Sequence, residues 1–372
     1  MTRVILLTGV AAGALAGGMA SAAGVERTPF SSAILFEEGT YAEFSIGRVE
    51  PDVSGTQVTT LGGALPGAIG AASGDVAPGY TTFSLGVKTQ ATDRVSLAFT
   101  LDQPIGAAAN YDTAGYVYAG SIADLDANAA TLLARYRATD AISVYGGVRA
   151  LQTKGAVTLF NGYSLDTSRE TDFGYLLGAA YEMPEIALRV ALTYQSKITH
   201  DFDSQEFIPT VPATVPGEFA VEIPQTVTLE FQSGVAEDTL VFGSVRWADW
   251  SEFEITPPNL GAALVDYQND TWTYSLGVGR RFTETWAGAV TASYEPGSQD
   301  FTSNLGPNDG VTSLGLAATY TKDNWEVTAG ARYLWIGDAD TSIPGTGGTG
   351  PALGAFRDNS GYAVGLKVAY TY

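Results

Sequence analysis

Cysteine is absent, histidine occurs once, and 19 lysines and arginines face 40 aspartates and glutamates. Without thiols there can be no disulfide framework, no thiolate zinc centre and no cysteine nucleophile. The single histidine, His200, leaves little for a Ser–His hydrolase, and no Gly-x-Ser-x-Gly elbow occurs. No enzyme and no cofactor are therefore expected. The formal charge of −21 disfavours a nucleic-acid partner, which needs basic patches to neutralise phosphates. Long apolar runs are also missing. After the leader, charged or turn residues break every run well before the roughly 18 residues of a spanning helix. A membrane-inserted form must then be a closed barrel, because only helices and barrels satisfy their backbone in lipid. The acidity does not signal disorder, since 45% of the residues are hydrophobic and 11% aromatic.

Residues 1–22 read as a secretory signal. Arg3 supplies the positive start, Val4 to Ala16 is short and apolar, and Ala20-Ser21-Ala22 gives a small-x-small cleavage site. Cleavage would start the mature chain near Ala23 and, by removing one Arg and no acid, leave a charge near −22.

From Tyr41 onward, segments of about ten residues alternate apolar with small or polar side chains, the pattern of membrane-barrel strands. In the last segment Tyr362, Val364, Leu366, Val368, Tyr370 and Tyr372 share one face, and Ala363, Gly365, Lys367, Ala369 and Thr371 the other. A soluble sandwich would alternate in the same way. The connections separate the two readings. Tight turns such as Thr92-Asp93-Arg94, Thr139-Asp140-Ala141 and Lys322-Asp323-Asn324 alternate with long stretches near 50–78, 103–126, 152–170, 196–224, 251–269, 296–310 and 336–361. Short periplasmic turns and long external loops are the habit of outer-membrane barrels. The expected fold is all-β, a transmembrane antiparallel β-barrel of about 14 strands over residues 41–372. The strands are expected to begin near Tyr41, Gly79, Val95, Ala127, Ile142, Thr171, Ile186, Gln225, Leu240, Thr271, Trp286, Val311, Trp325 and Tyr362. Trp272, Trp286, Trp325, Tyr333 and Trp335 fall near strand ends and fit interfacial girdles.

Residues 23–40 lack strand alternation but hold Pro29, Phe30, Leu35 and Phe36, and are expected to fold into the lumen as a short plug. The long connections carry apolar residues that a general porin would not need. Phe160 lies in one loop and Phe202, Phe207, Ile208 and Phe219 in the next, and these are the expected capture residues for substrate. Asp201, Asp203 and Glu206 are oxygen ligands of the kind Ca²⁺ takes, but no EF-hand spacing follows. A solvated loop is the better reading, with His200 exposed on it and no metal expected.

Several segments resemble the FadL/TodX-type long-chain fatty acid transporters of the outer membrane. They are Ala23-Gly24, Val49-Glu50-Pro51-Asp52-Val53-Ser54-Gly55, Asp102-Gln103-Pro104-Ile105-Gly106, Pro224-Gln225-Thr226-Val227-Thr228-Leu229 and, most specifically, Val245-Arg246-Trp247-Ala248-Asp249-Trp250-Ser251. The resemblance implies a monomeric barrel plugged by its N-terminal segment. Hydrophobic small molecules would be captured by external loops and released into the outer-membrane lipid at a distorted third strand. The family's plug is usually longer, with an Asn-Pro-Ala element. Here Arg27-Thr28-Pro29-Phe30 stands near that position. The expected function is passive uptake of hydrophobic compounds, with long-chain fatty acids foremost. The alternative is a diffusion porin for small polar solutes.

Overall fold

The computed structural model describes residues 25–211, 213–342 and 351–372. The expected signal segment, Ala23-Gly24 and the tip of the last long loop around Gly345 lie outside the described residues.

Fourteen strands form one closed antiparallel barrel. They are β1 (Tyr41–Asp52), β2 (Tyr80–Gln90), β3 (Val95–Asp102), β4 (Ile122–Arg137), β5 (Ile142–Thr158), β6 (Glu170–Met183) and β7 (Leu188–Gln195), followed by β8 (Thr226–Ala236), β9 (Thr239–Ala248), β10 (Thr271–Arg281), β11 (Trp286–Glu295), β12 (Val311–Lys322), β13 (Trp325–Ile336) and β14 (Ser360–Thr371). Each pairs with its sequence neighbour, and β14 returns to β1 in register from Tyr41↔Thr371 to Asp52↔Ser360. Closure gives every strand a partner on each side, as a bilayer demands. No helix among the described residues is long and apolar enough to cross a membrane.

The period-2 alternation places Leu366, Leu276, Leu192 and Leu132 outward, each 43–58% exposed, and Lys367, Ala191 and Leu133 inward. The outer face is thus an apolar band. Aromatics edge it at both ends, with Trp325 against Tyr370 (4.7 Å) near the short turns and Tyr333 against Trp335 (4.9 Å) near the long loops. The tight turns use the left-handed backbone region at Asp238 (φ 55°) and Asp323 (φ 54°), which lets two residues reverse a twisted strand pair.

Two departures from the expected strands matter for the site. β4 starts at Ile122 rather than Ala127, and β5 runs to Thr158, well into a stretch expected to be loop. At 16 and 17 residues they exceed the roughly 9–11 needed to cross a bilayer, so they rise beyond it as a wall. The expected loop 196–224 is likewise ordered, as a hairpin of Ile198–Ile208 with Ala213–Ile223. Pieces of the first and last long loops join in a small sheet in the order 339–341, 354–356, 54–57, 72–75.

Candidate functional site

The hairpin alternates like a membrane strand but buries its apolar face against protein. Ile198, Phe202 and Val221 are nearly inaccessible, while Asp201 and Asp203 face solvent. Phe202 opposes Phe219 in the register, with ring centroids 5.8 Å apart. One edge of the hairpin continues the sheet through Ser164–Thr167, which fixes it above β5. The loop after β9 closes over it. Trp250, Phe253 and Tyr267 pack in a triangle with centroid separations of 5.3–5.7 Å. Trp250 belongs to the Val245–Ser251 motif, whose other indole, Trp247, donates from Nε1 to Asp270 at 3.0 Å and so ties the loop back to the barrel.

Between these elements lies an apolar cavity of about 820 Å³, counting its mouth. Phe202, Phe219, Phe253, Leu264, Leu125 and Val25 line it. Tyr267 brings a phenol to the wall, and burial, reinforced by Glu295, raises its pKa so that the group stays neutral.

Val25 belongs to the N-terminal segment, which passes through the barrel interior. Its backbone pairs with the third strand where that strand breaks: Gly106 N donates to Val25 O (2.8 Å) and Arg27 N to Pro104 O (2.8 Å). Proline has no amide hydrogen, so Pro104 interrupts the ladder. The strand resumes at Gly106–Asn110, still paired with β4. On its other side, β2 pairs with β3 only from Leu85↔Leu101 to Gln90↔Ser96. Residues 80–84 therefore lack a strand partner there, and Gln103 Oε1 stands in by accepting from Phe83 N at 3.2 Å. A second cavity, of about 660 Å³, sits behind this gap beside Tyr80 and Ala108 and shares Ala107, Leu305 and Gly306 with the first. Arg27 lies across it, over the Tyr80 ring at 4.6 Å and paired with Asp126 at 3.4 Å. Gly106 makes room, because a Cβ there would come within 2.3 Å of the guanidinium carbon.

Polar side chains seat the rest of the segment. Glu26 meets Arg246 in a bidentate pair (2.6 and 2.8 Å), both nearly inaccessible. Burial raises the Glu26 carboxyl pKa, and Arg246 opposes that shift. Ser31 and Ser32 donate to Glu230 at 2.5 and 2.7 Å. Phe36 lies between Arg135 (4.2 Å) and Arg189 (4.6 Å), and Leu35 is fully buried. Phe30 sits by Arg149 (5.7 Å), and Pro29 lines a lumenal chamber.

Of the expected capture residues, Phe202 and Phe219 reach the cavity. Phe160 instead packs on Tyr118 at 5.0 Å among the other loops. Phe207 and Ile208 sit near the hairpin tip, outside the cavity lining, with Phe207 turned outward. The reading of His200 as solvent-exposed is corrected. It is fully buried, its Nδ1 2.7 Å from Asp172 and its Nε2 3.0 Å from Thr153, because even positions of the hairpin face inward. Glu206 shares that inward face, opposite Asp201 and Asp203, and takes hydrogen bonds from Tyr163 (2.8 Å), Asn259 (2.9 Å) and the Leu260 amide (3.1 Å). The three carboxylates do not converge, and no metal-binding cluster occurs among the described residues. Phe253, Ile255, Leu264 and Tyr267 were not anticipated, although the apolar content of 251–269 matches that of the loops that were.

No curated protein matches the sequence. Solved structures do match the fold. A Pseudomonas aeruginosa FadL homologue superposes with a TM-score of 0.74 at 15% identity, covering 91% of this chain and 92% of that one. The Pseudomonas putida toluene transporter TodX gives 0.65 at 13%, covering 91% and 92%. The Ralstonia pickettii toluene transporter TbuX gives 0.60 at 14%, covering 96% and 99%. The model of the outer membrane protein transport protein family (OMPP1/FadL/TodX) matches residues 7–372, and the chain belongs to that family as an outer-membrane β-barrel.

Proposed function

We propose that the protein is a passive channel for hydrophobic compounds. The observation that carries this reading is the apolar cavity roofed by the external loops, floored by Val25 and sharing Ala107, Leu305 and Gly306 as walls with the space behind the gap at Pro104. Burial of apolar surface, at about 25 cal/mol per Å², supplies the affinity without an energy source. A solute held there has a short route past Arg27 to the bilayer. Displacing the N-terminal segment removes Val25 from the cavity and Arg27 from the gap together. The segment is then the plug, with Pro29, Phe30, Leu35 and Phe36 holding it in the lumen, and the signal segment precedes it. A barrel closed on itself with an apolar outer band all round supports a monomer.

Long-chain fatty acids are the finer proposal, and single-ring aromatic hydrocarbons would also fit the cavity. The matched structures include both a FadL homologue and toluene transporters. A diffusion porin is less well supported, because residues 25–38 occupy the lumen. The test is uptake of labelled oleate and labelled toluene by cells carrying wild type, Phe202→Ser or Phe219→Ser. Fully burying such a side chain is worth roughly 1.5–3 kcal/mol, and partial contact less, so uptake at low solute should fall several-fold. Unchanged uptake of both solutes, with the barrel at normal abundance, would refute the reading.

A further inference from the structure

The barrel holds a further chamber of different chemistry, on the β8–β13 side of the N-terminal segment. It measures about 1110 Å³, counting its openings. Hydroxyls of Ser244, Thr273, Ser275, Thr291 and Ser293 line part of its wall, beside Glu230 and apolar residues such as Phe231 and Phe242. Arg332 projects into it from β13.

Arg332 is only 7% exposed, and its Nε and Nη1 are buried with no hydrogen-bond partner. Every other buried cation of the described lumen has a counter-group. Arg135 meets Glu182, Arg149 meets Asp102, Arg246 meets Glu26, and Arg27 meets Asp126. Lys88 donates to the carbonyls of Glu37 and Gly39, and Lys367 lies 3.7–3.8 Å from Glu43 and Glu326. No such partner is found for Arg332 among the described residues. The nearby carboxylates are committed elsewhere. Glu230 accepts from Ser31 and Ser32, and Glu295 accepts from Thr273. The facing residue, Gly315, leaves space above the sheet. A Cβ there would lie 3.4 Å from Arg332 Nε and 2.7 Å from Thr291 Oγ1, so a guanidinium and a hydroxyl converge over one bare position.

We propose that Arg332 anchors an anion site that takes a carboxylate. A buried guanidinium without a counter-charge is unfavourable, and its planar fork matches the two oxygens of a carboxylate better than a spherical ion. Thr291 and the neighbouring serine hydroxyls supply further donors. The carboxylate has two sources, a small free organic acid or the head group of an acidic hydrophobic cargo. The site stands apart from the apolar cavity and does not require that reading of the cargo.

The experiment uses the full-length purified barrel and the carboxyl ¹³C resonance of labelled benzoate and labelled palmitate, with toluene binding as the uncharged control. Wild type should shift the benzoate signal saturably. Arg332→Gln should weaken that binding at least tenfold, Arg332→Lys should fall between, and toluene should bind all three equally. Arg332-dependence of benzoate alone assigns the site to small acids, and dependence of palmitate as well assigns it to cargo head groups. The proposal is overturned if wild type binds neither acid saturably, if Arg332→Gln binds benzoate as wild type does, or if toluene binding falls in step with benzoate.

Discussion

Removing the Glu26 charge should unseat the N-terminal segment. Glu26 and Arg246 are 6% and 8% exposed and joined by two short hydrogen bonds. Breaking a buried pair by neutralising one partner costs about 3–5 kcal/mol, mostly because the other charge is stranded. Arg246 also lines the chamber around Arg332, where water can reach part of it, so the lower end applies. At about 1.4 kcal/mol per tenfold, a loss near 3 kcal/mol shifts the seating equilibrium by roughly two orders of magnitude. The contacts at Glu230, Phe36 and Pro104 remain and set how far the segment moves. The chain has no cysteine, so Ala33→Cys gives a unique site for a nitroxide label. In Glu26→Gln the label should gain a mobile component and the conductance in planar bilayers should rise. The double change Glu26→Gln with Arg246→Gln should recover much of the seated state, since no charge is stranded. An immobile label and unchanged conductance in Glu26→Gln would refute the reasoning.

Burial raises the Glu37 carboxyl from 4.5 to about 7, with Lys367 opposing and Glu43 adding to the shift. A raised acid binds its proton more tightly when seated, so seating should weaken as pH rises from about 4.5 through 7. Label mobility at Ala33→Cys should follow that window, and Glu37→Gln should flatten it. Leu366→Arg places a charge in the apolar band and should cost about 2–4 kcal/mol near the bilayer midplane, measured by urea unfolding in vesicles. Ser275→Arg, which faces the chamber around Arg332, should cost less, and equal costs would refute the face assignment. Arg27→Ala should speed release of bound hydrocarbon into the bilayer while leaving equilibrium binding within twofold, read by stopped-flow fluorescence. A tag at Gly67 should be reachable by antibody on intact cells and one at Asp140 or Asp323 should not, and labelling of the latter pair would invert the topology.

The barrel was legible because its signal repeats. One face of each strand meets lipid and the other the lumen, so alternation and turn spacing recur along the chain and place eleven of the fourteen strand starts within one residue. β4 was missed by five residues because Ile122–Asp126 continues above the membrane, where both faces meet protein and water and the apolar period weakens. The hairpin 198–223 hid for the opposite reason. It alternates well, but Pro216 and a run of acids resemble loop composition. The break at Pro104 was legible only through the family resemblance, since one proline cannot say which partner strand falls away. His200 shows the limit of local reasoning, because its burial depends on Asp172 and Thr153 from two other strands.

The claim that the cavity beneath the external loops receives hydrophobic solute is tested most directly by photolabelling. A diazirine-bearing alkyl probe would be irradiated with the purified barrel in lipid nanodiscs, and the labelled peptides identified by mass spectrometry. Saturable labelling is expected at the cavity wall, on Phe202, Phe219 and Phe253, with competition by oleate or toluene. Labelling confined to outward residues such as Leu276 and Leu366, with no effect of competitor, would contradict it.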